Sequence, residues 1–443
     1  MRFTTPLSAA ALLLNNHNNG VLAQASSGVF NVLAMNVAGL PAFLNGNDVP
    51  GDKTVNAELI GAKLSANNID IAHLQEDFNY HAAIYRTNKH PYRTATSGGV
   101  PFGSGLNTVS GFDWVDFRRI KWSKCSDASQ SDCLTPKGFT FMRVSIAPGV
   151  YADLYNLHAD AGVEAGDLEA RNSNINQVAE HINTWSKGNA VIVYGDFNSR
   201  YSRTGDTAIR GLLTSGLKDV WLETLFGNTI PSQAASCGNP AADSLCEVVD
   251  KVFYRAGPLL NLQAETFRYD GARFLQPDGN ILTDHNPVFA NFTWSAGAKL
   301  RQSALSGGTG GTAWFNDATA LSTISKPKPS TLTFSGGSRL DSVSVKLTDG
   351  TTFKHGGNGG TAASLTLAAT EYWTEAELCR GVRNKSTRNF YIRAVTSTGR
   401  AVTGGTATSD CSKFAAPSGW QIVGFLGQAG DEVDQLGFVY APR

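Results

Sequence analysis

The pattern of predicted elements changes once along the chain, near residue 295, and this change constrains the fold most. Before it, strand-like runs such as 189–197 alternate with amphipathic, helix-like runs such as 167–188, as in α/β proteins. After it, only short alternating strands separated by Gly, Asn and Asp turns are predicted. The segment between is rich in Ser, Gly and Ala, like a linker. We predict an α/β domain over 26–294, a linker over 295–311 and an all-β domain over 312–443.

The first 25 residues have the features of a secretory signal peptide. Arg2 supplies a positive charge, residues 7–14 form a short apolar core, and Ala23-Gln24-Ala25 is a small-residue cleavage site. No apolar run approaches the roughly 18 residues of a transmembrane helix. We therefore predict a secreted protein with no transmembrane segment, and we expect a monomer.

Six cysteines agree with export, because disulfides persist in oxidising compartments. Six cysteines allow 15 connectivities, and pairing between sequence neighbours keeps each bridge within one domain. None has the Cys-x-x-Cys spacing of a zinc site. The predicted pairs are Cys125 with Cys133, Cys237 with Cys246, and Cys379 with Cys411. Two sequons, at Asn291 and Asn384, are predicted glycosylation sites, although burial in an apolar stretch would block Asn291.

The net charge is zero, but it is spread unevenly. Residues 26–298 contain 21 Lys and Arg against 27 Asp and Glu, whereas residues 299–443 contain 15 against 10. The first region therefore lacks the basic excess of most nucleic-acid-binding proteins. This argues against a high-affinity nuclease without excluding one, since a bound divalent cation changes the local sign.

Polar groups follow a buried strand in the stretch YGDFNSRY, residues 194–201. Asp196, Asn198 and Arg200 are spaced two apart, so on a strand they would point to one side. A turn is the alternative, since Gly-Asp and Asn-Ser are turn formers. Other predicted strands end in similar residues, namely Asn36, Glu76, His158, Asp250, Asp284 and His285.

Acids, amides and histidines at successive strand ends suit a phosphate hydrolase that uses a hard cation. Mg²⁺ prefers oxygen ligands, keeps several waters and bridges to phosphate. A base and an acid of suitable pKa complete an in-line displacement at phosphorus. We therefore predict Mg²⁺ or Mn²⁺ as the cofactor. For each residue alone, a solvated strand end or a turn remains the alternative.

Five motifs in order, LQE, LHADA, GDFN, VDKVF and TDHNPV, resemble the endonuclease/exonuclease/phosphatase superfamily of deoxyribonuclease-like phosphoesterases. The resemblance covers residues 29–294 and implies a four-layer α/β sandwich, with two β-sheets flanked by helices. It implies that Glu76 binds the metal, with Asn36 beside it and Asp284 nearby. His73 departs from the family pattern, and we expect it to be packed in the core rather than a ligand.

The same resemblance implies catalytic roles for five residues. Asp196 would orient or deprotonate the attacking water, and Asn198 would contact the phosphate. His285 would bind or activate at the scissile phosphate, with Asp250 orienting it as in a triad. His158 would help to protonate the leaving group.

Three substrates fit such a site. The stretches NVAGLP and TDHNPV are similar to secreted neutral sphingomyelinases. GDFNSR resembles half of the inositol polyphosphate 5-phosphatase signature, but CEVVDKVFYR replaces the Trp-x-Asp-Arg half. We predict a secreted, metal-dependent phosphoesterase, specifically a sphingomyelinase-like phosphodiesterase. The alternatives are a secreted endonuclease that cleaves DNA or RNA and an inositol-phosphate-type phosphatase.

The C-terminal stretches GGTGGTAWFND and GWQIVGFLGQAGDEVDQLGFVYAP resemble jacalin-type lectins. This resemblance implies a β-prism that binds glycans without metal through the loop that begins at Gly430. Asp434 would accept from sugar hydroxyls, while the amides of Asp431 and Glu432 would donate. Acids at 431 and 432 depart from known sugar binders and cost desolvation. A β-prism that only packs against the first domain is the alternative.

Overall fold

The computed structural model describes residues 25–44 and 47–443. All but the last residue of the predicted signal peptide, residues 1–25, lies outside the described residues. Within the described part of the chain, every helix is too short or too polar to span a bilayer.

The N-terminal region, residues 25–296, contains two six-stranded sheets. Its strands are β1 (Ser27–Asn36), β2 (Ile71–Gln75), β3 (Tyr92–Arg93), β4 (Asn107–Ser110), β5 (Trp114–Lys121), β6 (Gly138–Ala147), β7 (Val150–His158), β8 (Val191–Asp196), β9 (Lys218–Asp219), β10 (Asp250–Arg255), β11 (Leu260–Tyr269) and β12 (Val288–Ala296). The first sheet has the order β11-β12-β1-β2-β4-β3, and the second has the order β5-β6-β7-β8-β10-β9.

Helices cover the outer faces of both sheets. They are α1 (Lys53–Ala66), α2 (His81–Thr87), α3 (Ala165–Trp185), α4 (Ala208–Thr214) and α5 (Val220–Phe226). Asp52 caps α1 by accepting hydrogen bonds from two backbone amides of its first turn, and a capping box between Glu164 and Asp167 begins α3. Both satisfy amides that the helix itself leaves unpaired.

Buried side chains divide the N-terminal region into four layers. Between the sheets, Val32 joins Leu154 in a large apolar cluster, which extends to Ile175 and Val178 of α3. A second cluster joins the outer face of β1 to α1 and α2, for example through Met35. The predicted four-layer α/β sandwich is therefore confirmed.

The C-terminal region, residues 297–443, is almost entirely β. Its elements are β13 (Arg301–Gln302), β14 (Ser306–Gly307), β15 (Ala313–Asn316), α6 (Ala318–Leu321), β16 (Pro329–Gly336), β17 (Leu340–Leu347), β18 (Thr352–Gly356), β19 (Thr361–Thr366), β20 (Trp373–Arg383), β21 (Ser386–Thr396), β22 (Ala401–Gly405), β23 (Asp410–Ala415), β24 (Trp420–Ala429) and β25 (Val433–Pro442). The strands form three antiparallel sheets around one apolar cluster that contains Trp373, Phe425 and Phe438. This arrangement confirms the predicted all-β prism.

Residues 295–311, predicted as a linker, carry short strands. Both β13 and β14 pair with β25, and Gly307 lies so close to the backbone of Asp434 that a Cβ would meet its carbonyl oxygen at 2.0 Å. A side chain does not fit there. Close packing therefore accounts for glycine at this position, and a flexible linker is not needed to explain it.

The three predicted disulfide pairings are confirmed: Cys125–Cys133, Cys237–Cys246 and Cys379–Cys411. The last bridge joins residues that face each other across β20 and β23. All three close short segments within one region of the chain.

The two regions meet across a buried polar surface, which we call the domain interface. Arg143 of β6 is buried and forms a two-bonded ion pair with Asp153 of β7, and its guanidinium lies 3.4 Å from the ring centroid of Trp314. The amide of Gln428 donates to Asp116 at 2.7 Å. Burial raises the pKa of Asp116. The C-terminal region therefore helps to bury Arg143 and Asp116. It also provides contacts, from Trp314 and Gln428, that replace the water these charged groups lose.

Candidate active site

Strand register brings the predicted catalytic residues to one edge of the sandwich. Asn36 ends β1, and Glu76 follows β2, its parallel neighbour. In the second sheet, His158 faces Asp196 across parallel strands β7 and β8, and Asp250 faces Asp196 across antiparallel strands β8 and β10. Asp196 is therefore flanked on both sides by residues of neighbouring strands.

The side chain of Asn36 links the two sheets. Its Nδ2 donates to Glu76 Oε1 at 3.1 Å and to Asp196 Oδ2 at 3.2 Å. Its Oδ1 accepts from the amide of Ala38, and the Thr283 hydroxyl donates to its backbone carbonyl at 2.6 Å. These bonds fix the orientation of the amide between the two carboxylates.

Three residues around this linkage have a left-handed backbone. Ala38, Glu76 and Asn198 have φ angles of 50°, 55° and 48°. The left-handed conformation is unfavourable for a non-glycine residue, so the rest of the fold must stabilise it. Such strain concentrates at functional sites, where it aims side chains that a regular strand would point elsewhere.

His285 is paired with a buried carboxylate. Its Nδ1 lies 2.8 Å from Asp250 Oδ2, and its Nε2 lies 3.9 Å from Asp196 Oδ2. Burial alone would lower the pKa of His285, but Asp250 and then Asp196 outweigh it and raise the pKa well above its usual range. The imidazole is therefore charged at neutral pH, with Nε2–H directed into the site.

Asp196 is buried among charged groups. Burial, followed by the charge of Asp250, raises the pKa of Asp196 to about 7, although His285 opposes the shift. A carboxyl group that titrates near neutrality can both accept and release a proton under ordinary conditions.

Lys137 belongs to the site but was not predicted. Its Nζ lies 3.2 Å from His158 Nε2 and forms an ion pair with Asp132, inside the loop closed by Cys125–Cys133. His158 Nε2 is also 3.5 Å from Asp196 Oδ2. Burial, then Lys137, lowers the pKa of His158 well below its usual value. His158 is therefore neutral, and Lys137 carries the positive charge beside it.

One signal in the sequence points to Lys137. Pro148-Gly149 marks a hairpin turn, and a hairpin centred there places the start of β6 beside the end of β7. In the structure Phe139 faces Leu157, so Lys137 lies next to His158. A single lysine belongs to no motif of fixed spacing, so the five ordered sequence motifs did not identify it.

The alternation expected through YGDFNSRY ends at Asp196, where β8 ends. Asn198 instead lies in a tight turn, in which its backbone amide donates to Asp196 Oδ1 and its side chain donates to Ala159 O. The Arg200 side chain donates to Ser236. The chain therefore leaves the strand in a turn after Asp196. This turn keeps Asn198 beside Asp196, and the two-residue repeat of a strand does not.

The carboxylate of Glu76 offers an oxygen that fits a divalent cation. Glu76 Oε2 is buried and has no hydrogen-bond partner among the described residues, which leaves an oxygen ligand of the kind that Mg²⁺ prefers. Asp284 is exposed and accepts from Asn47 at 3.1 Å. In the described chain, the three-residue group with ligand atoms within 4.8 Å is instead Asp196, Asp250 and His285. Because His285 Nδ1 and Asp250 Oδ2 are already bonded to each other at 2.8 Å, this second group fits a cation less well.

His73 is fully buried, as expected of a packed histidine. Its ring stacks on Tyr194 with centroids 3.7 Å apart, and burial lowers its pKa to about 3. It therefore stays neutral in the core between the sheets.

The predicted sugar loop contains more ion pairs than the sequence suggested. Glu432 is buried and pairs with both Arg339 and Arg388, while Asp431 is exposed. Arg388 also lies 3.9 Å from Asp434, whose pKa is raised by burial. The desolvation expected of two unpaired acids therefore does not apply to Glu432, since its charge is compensated.

The two sequons differ in exposure. Asn384 is exposed in the turn between β20 and β21. Asn291 lies within β12, between Asn31 and Thr266 of the neighbouring strands, and is only partly exposed. Glycosylation of both residues stays a prediction, with Asn384 the more accessible.

Two family models match the chain. Residues 53–226 match Endonuclease/Exonuclease/phosphatase family 2, and residues 303–439 match the Jacalin-like lectin domain.

Among curated proteins, sphingomyelinase from Mycobacterium tuberculosis is 37% identical over 279 residues, which is 61% of this chain and 54% of that protein. The alignment thus spans about half the length of this relative. Horcolin from Hordeum vulgare is 29% identical over 126 residues, which is 26% of this chain and 86% of horcolin. Among solved structures, beta toxin from Staphylococcus aureus with bound magnesium ions is 16% identical, with a TM-score of 0.42, over 59% of this chain and 99% of that one.

Proposed function

We propose that this chain, which contains an endonuclease/exonuclease/phosphatase domain and a jacalin-like lectin domain, is a secreted, metal-dependent phosphodiesterase that hydrolyses sphingomyelin to ceramide and phosphocholine. The observation that carries the proposal is the arrangement of Asp196, which lies between Asn36, His158 and His285 at one edge of the sandwich. The three disulfides support secretion.

A lipid phosphodiester fits better than a nucleic acid for two reasons. The N-terminal region carries more acidic than basic residues, whereas a nuclease gains most of its affinity from cationic contacts to phosphates. The 37% identity is to a sphingomyelinase. The endonuclease and the inositol-phosphate phosphatase remain the alternatives for the same site.

Glu76 and Asn36 are the residues that would hold Mg²⁺ or Mn²⁺. Such a cation, when bound, supplies charge stabilisation at the phosphoryl oxygens. Glu76 offers its unpartnered Oε2, while Oε1 accepts from Asn36. Asn36 thereby fixes the carboxylate that faces the substrate.

Asp196 is the residue placed to act on the attacking water. With a pKa of about 7, its carboxylate can take a proton from water as the oxygen approaches phosphorus. Asn36 and the amide of Asn198 donate to its two oxygens and hold it in one orientation. The charged His285, held by Asp250, would donate from Nε2 to a phosphoryl oxygen.

The bond to the ceramide oxygen breaks as water adds, and that oxygen then needs a proton. His158 and Lys137 form the pair that would supply it. Since His158 is neutral beside a charged lysine, the proton would come from Lys137, directly or through the imidazole. Asp132 keeps the lysine at this position.

The lectin domain would hold the enzyme at glycosylated surfaces. Asp434 at the loop Gly430–Asp434 is the predicted acceptor for sugar hydroxyls. Tethering raises the local concentration of enzyme at its substrate without changing the chemistry.

The test is phosphocholine release from sphingomyelin, with Mn²⁺ binding measured on the same samples by electron paramagnetic resonance. Activity should disappear in EDTA and return with Mg²⁺ or Mn²⁺. Glu76→Gln should weaken Mn²⁺ binding and lower the rate at fixed metal, while the exposed Glu169→Gln should change neither. Full activity in EDTA would contradict the proposal.

A further inference from the structure

Two uncharged loops expose aromatic side chains beside the candidate active site. The first apolar loop, residues 40–44, carries Phe43, which is 86% exposed, and Leu44, which is 50% exposed. The second apolar loop, residues 98–103, carries Phe102, which is 82% exposed. The chain has no charged residue between 26 and 47 or between 94 and 112. Exposed aromatic groups are unfavourable in water unless they have a partner.

Hydrogen-bonded turns hold both rings at the tips of their loops. In the first loop, Leu44 N donates to Pro41 O at 2.8 Å, so Phe43 lies at the tip of a turn. In the second, Phe102 N and Gly103 N both donate to Gly99 O at 2.8 Å. The approach within this turn is close, since a Cβ on Gly103 would meet Gly98 O at 1.7 Å. Hydrogen-bonded turns therefore hold both rings at the surface.

Both loops are attached to the segment that carries Glu76. Gly39 packs so tightly on Glu76 that a Cβ would lie 2.2 Å from its carbonyl oxygen, and Asn79 N donates to Gly39 O. On the other side, Asp77 N donates to Gly105 O at 2.9 Å, and Val100 N in the second loop donates to Asn79 Oδ1 at 3.5 Å. The two apolar loops thus flank the proposed metal ligand.

We infer that these two loops are a membrane-contact surface, and that Phe43 and Phe102 enter the outer part of a lipid bilayer while the active site takes a head group from the same bilayer. The inference rests on the proposed function, because a lipid substrate must be reached at a bilayer surface. Amphipathic surface elements enter bilayers by burying apolar side chains about 5–10 Å deep. Because neither loop offers a charge for pairing, the lipid interface fits them better than the polar rim of a protein partner.

Two further exposed apolar side chains lie close in sequence to Lys137 and His158. Leu134, three residues before Lys137, is 53% exposed, and Val163, five residues after His158, is 62% exposed. Exposed apolar groups therefore also occur near the residues of the second sheet that line the site, which agrees with a bilayer at its mouth.

The test uses vesicles of phosphatidylcholine alone, which lack both the substrate and any glycan, so that neither catalysis nor the lectin domain contributes. Sedimentation of the full chain with these vesicles is compared for the wild type, the double variant Phe43→Ser/Phe102→Ser and the control variant Val29→Ser/Val382→Ser. Val29 and Val382 are 68% and 69% exposed, but Val29 lies near the start of β1, at the end remote from Asn36, and Val382 lies in the C-terminal region.

The wild type and the control variant should bind the vesicles alike, and Phe43→Ser/Phe102→Ser should bind at least about tenfold more weakly, since burying a Phe ring is worth roughly that or more. In parallel, the ratio of the rate on sphingomyelin vesicles to the rate on a monomeric short-chain sphingomyelin should fall by a similar factor. Equal binding by the double variant and the wild type, or no binding by the wild type, would overturn the inference. Vesicle binding that depends on the loops, without phosphocholine release from either substrate, would instead refute the proposed function and leave the surface in place.

Discussion

Replacing Asp250 by Asn should remove most of the turnover while leaving the fold intact. Asp250 is buried at the start of β10, and its Oδ2 lies 2.8 Å from His285 Nδ1. Asn has nearly the same shape, so its amide oxygen can still accept from His285. The negative charge is lost, however, and with it the largest contribution that keeps His285 charged.

The size of the effect follows from the two roles of that charge. Without it, burial lowers the pKa of His285, and a neutral imidazole loses one of the two donors that face the site and Asp250. Loss of one preorganised donor to a developing negative charge costs about 10²–10³-fold in turnover. Loss of an orienting carboxylate in a histidine dyad has cost about 10⁴-fold in serine proteases. We therefore expect a decrease of about 10²–10⁴-fold, or about 3–5 kcal/mol at the transition state.

The assay is kcat and KM on monomeric short-chain sphingomyelin at saturating Mg²⁺, with thermal unfolding as the check on structure. Because Asp250 and His285 act as a unit, the double variant Asp250→Asn/His285→Gln should cost little more than either single change. A kcat within threefold of the wild type for Asp250→Asn would refute the role of this pair. Fully multiplicative effects in the double variant would show that the two residues act separately.

Four further changes test other parts of the structure. Lys137→Ala should lower kcat by about tenfold to a hundredfold and raise the pKa of His158, which a pH–rate profile would detect as a new ionisation; an unchanged profile would exclude Lys137 from the site. Asp434→Ala should lower retention on a glycan array by at least about tenfold, and unchanged retention would remove Asp434 from the sugar loop. Trp314→Ala should lower the free energy of unfolding by about 3–5 kcal/mol, and calorimetry should still show the two regions unfolding together; two separate transitions in the wild type would contradict a cooperative domain interface. Hydrogen bonds from Arg400 hold the pKa of Glu371 well below its usual value, so this carboxylate stabilises the fold above its unfolded pKa of about 4.3 and loses that contribution as pH falls; Glu371→Gln should be less stable than the wild type in urea at pH 7, with a smaller difference at pH 3.5, and an equal difference at both would be inconsistent with this linkage.

Local patterns were sufficient to predict the layers of the fold. The stripe of Ile175, Val178 and Ile182 indicated a helix with one buried face, and α3 buries those three residues. The apolar run before Asp196 indicated a buried strand, and β8 is buried throughout. Both signals are the spacing of apolar residues within one short segment, so they can be read without knowing any distant contact.

Contacts between distant segments could not be predicted in the same way. The domain interface depends on Arg143 and Trp314, which are far apart in the chain and have no common motif. The turn at Asn198 depends on hydrogen bonds to Asp196 and Ala159, and local spacing favoured a continued strand. Lys137 reaches His158 only through the register of β6 and β7.

Sphingomyelin hydrolysis is tested by comparing substrates for one preparation of the full chain with Mg²⁺, using ³¹P NMR to identify products. The substrates are sphingomyelin, plasmid DNA, RNA and an inositol polyphosphate. Sphingomyelin should give phosphocholine at the highest kcat/KM, Asp250→Asn should remove this signal, and inorganic phosphate should not appear. Efficient cleavage of DNA or RNA, or release of inorganic phosphate from the inositol polyphosphate, with no phosphocholine from sphingomyelin, would contradict the proposed function.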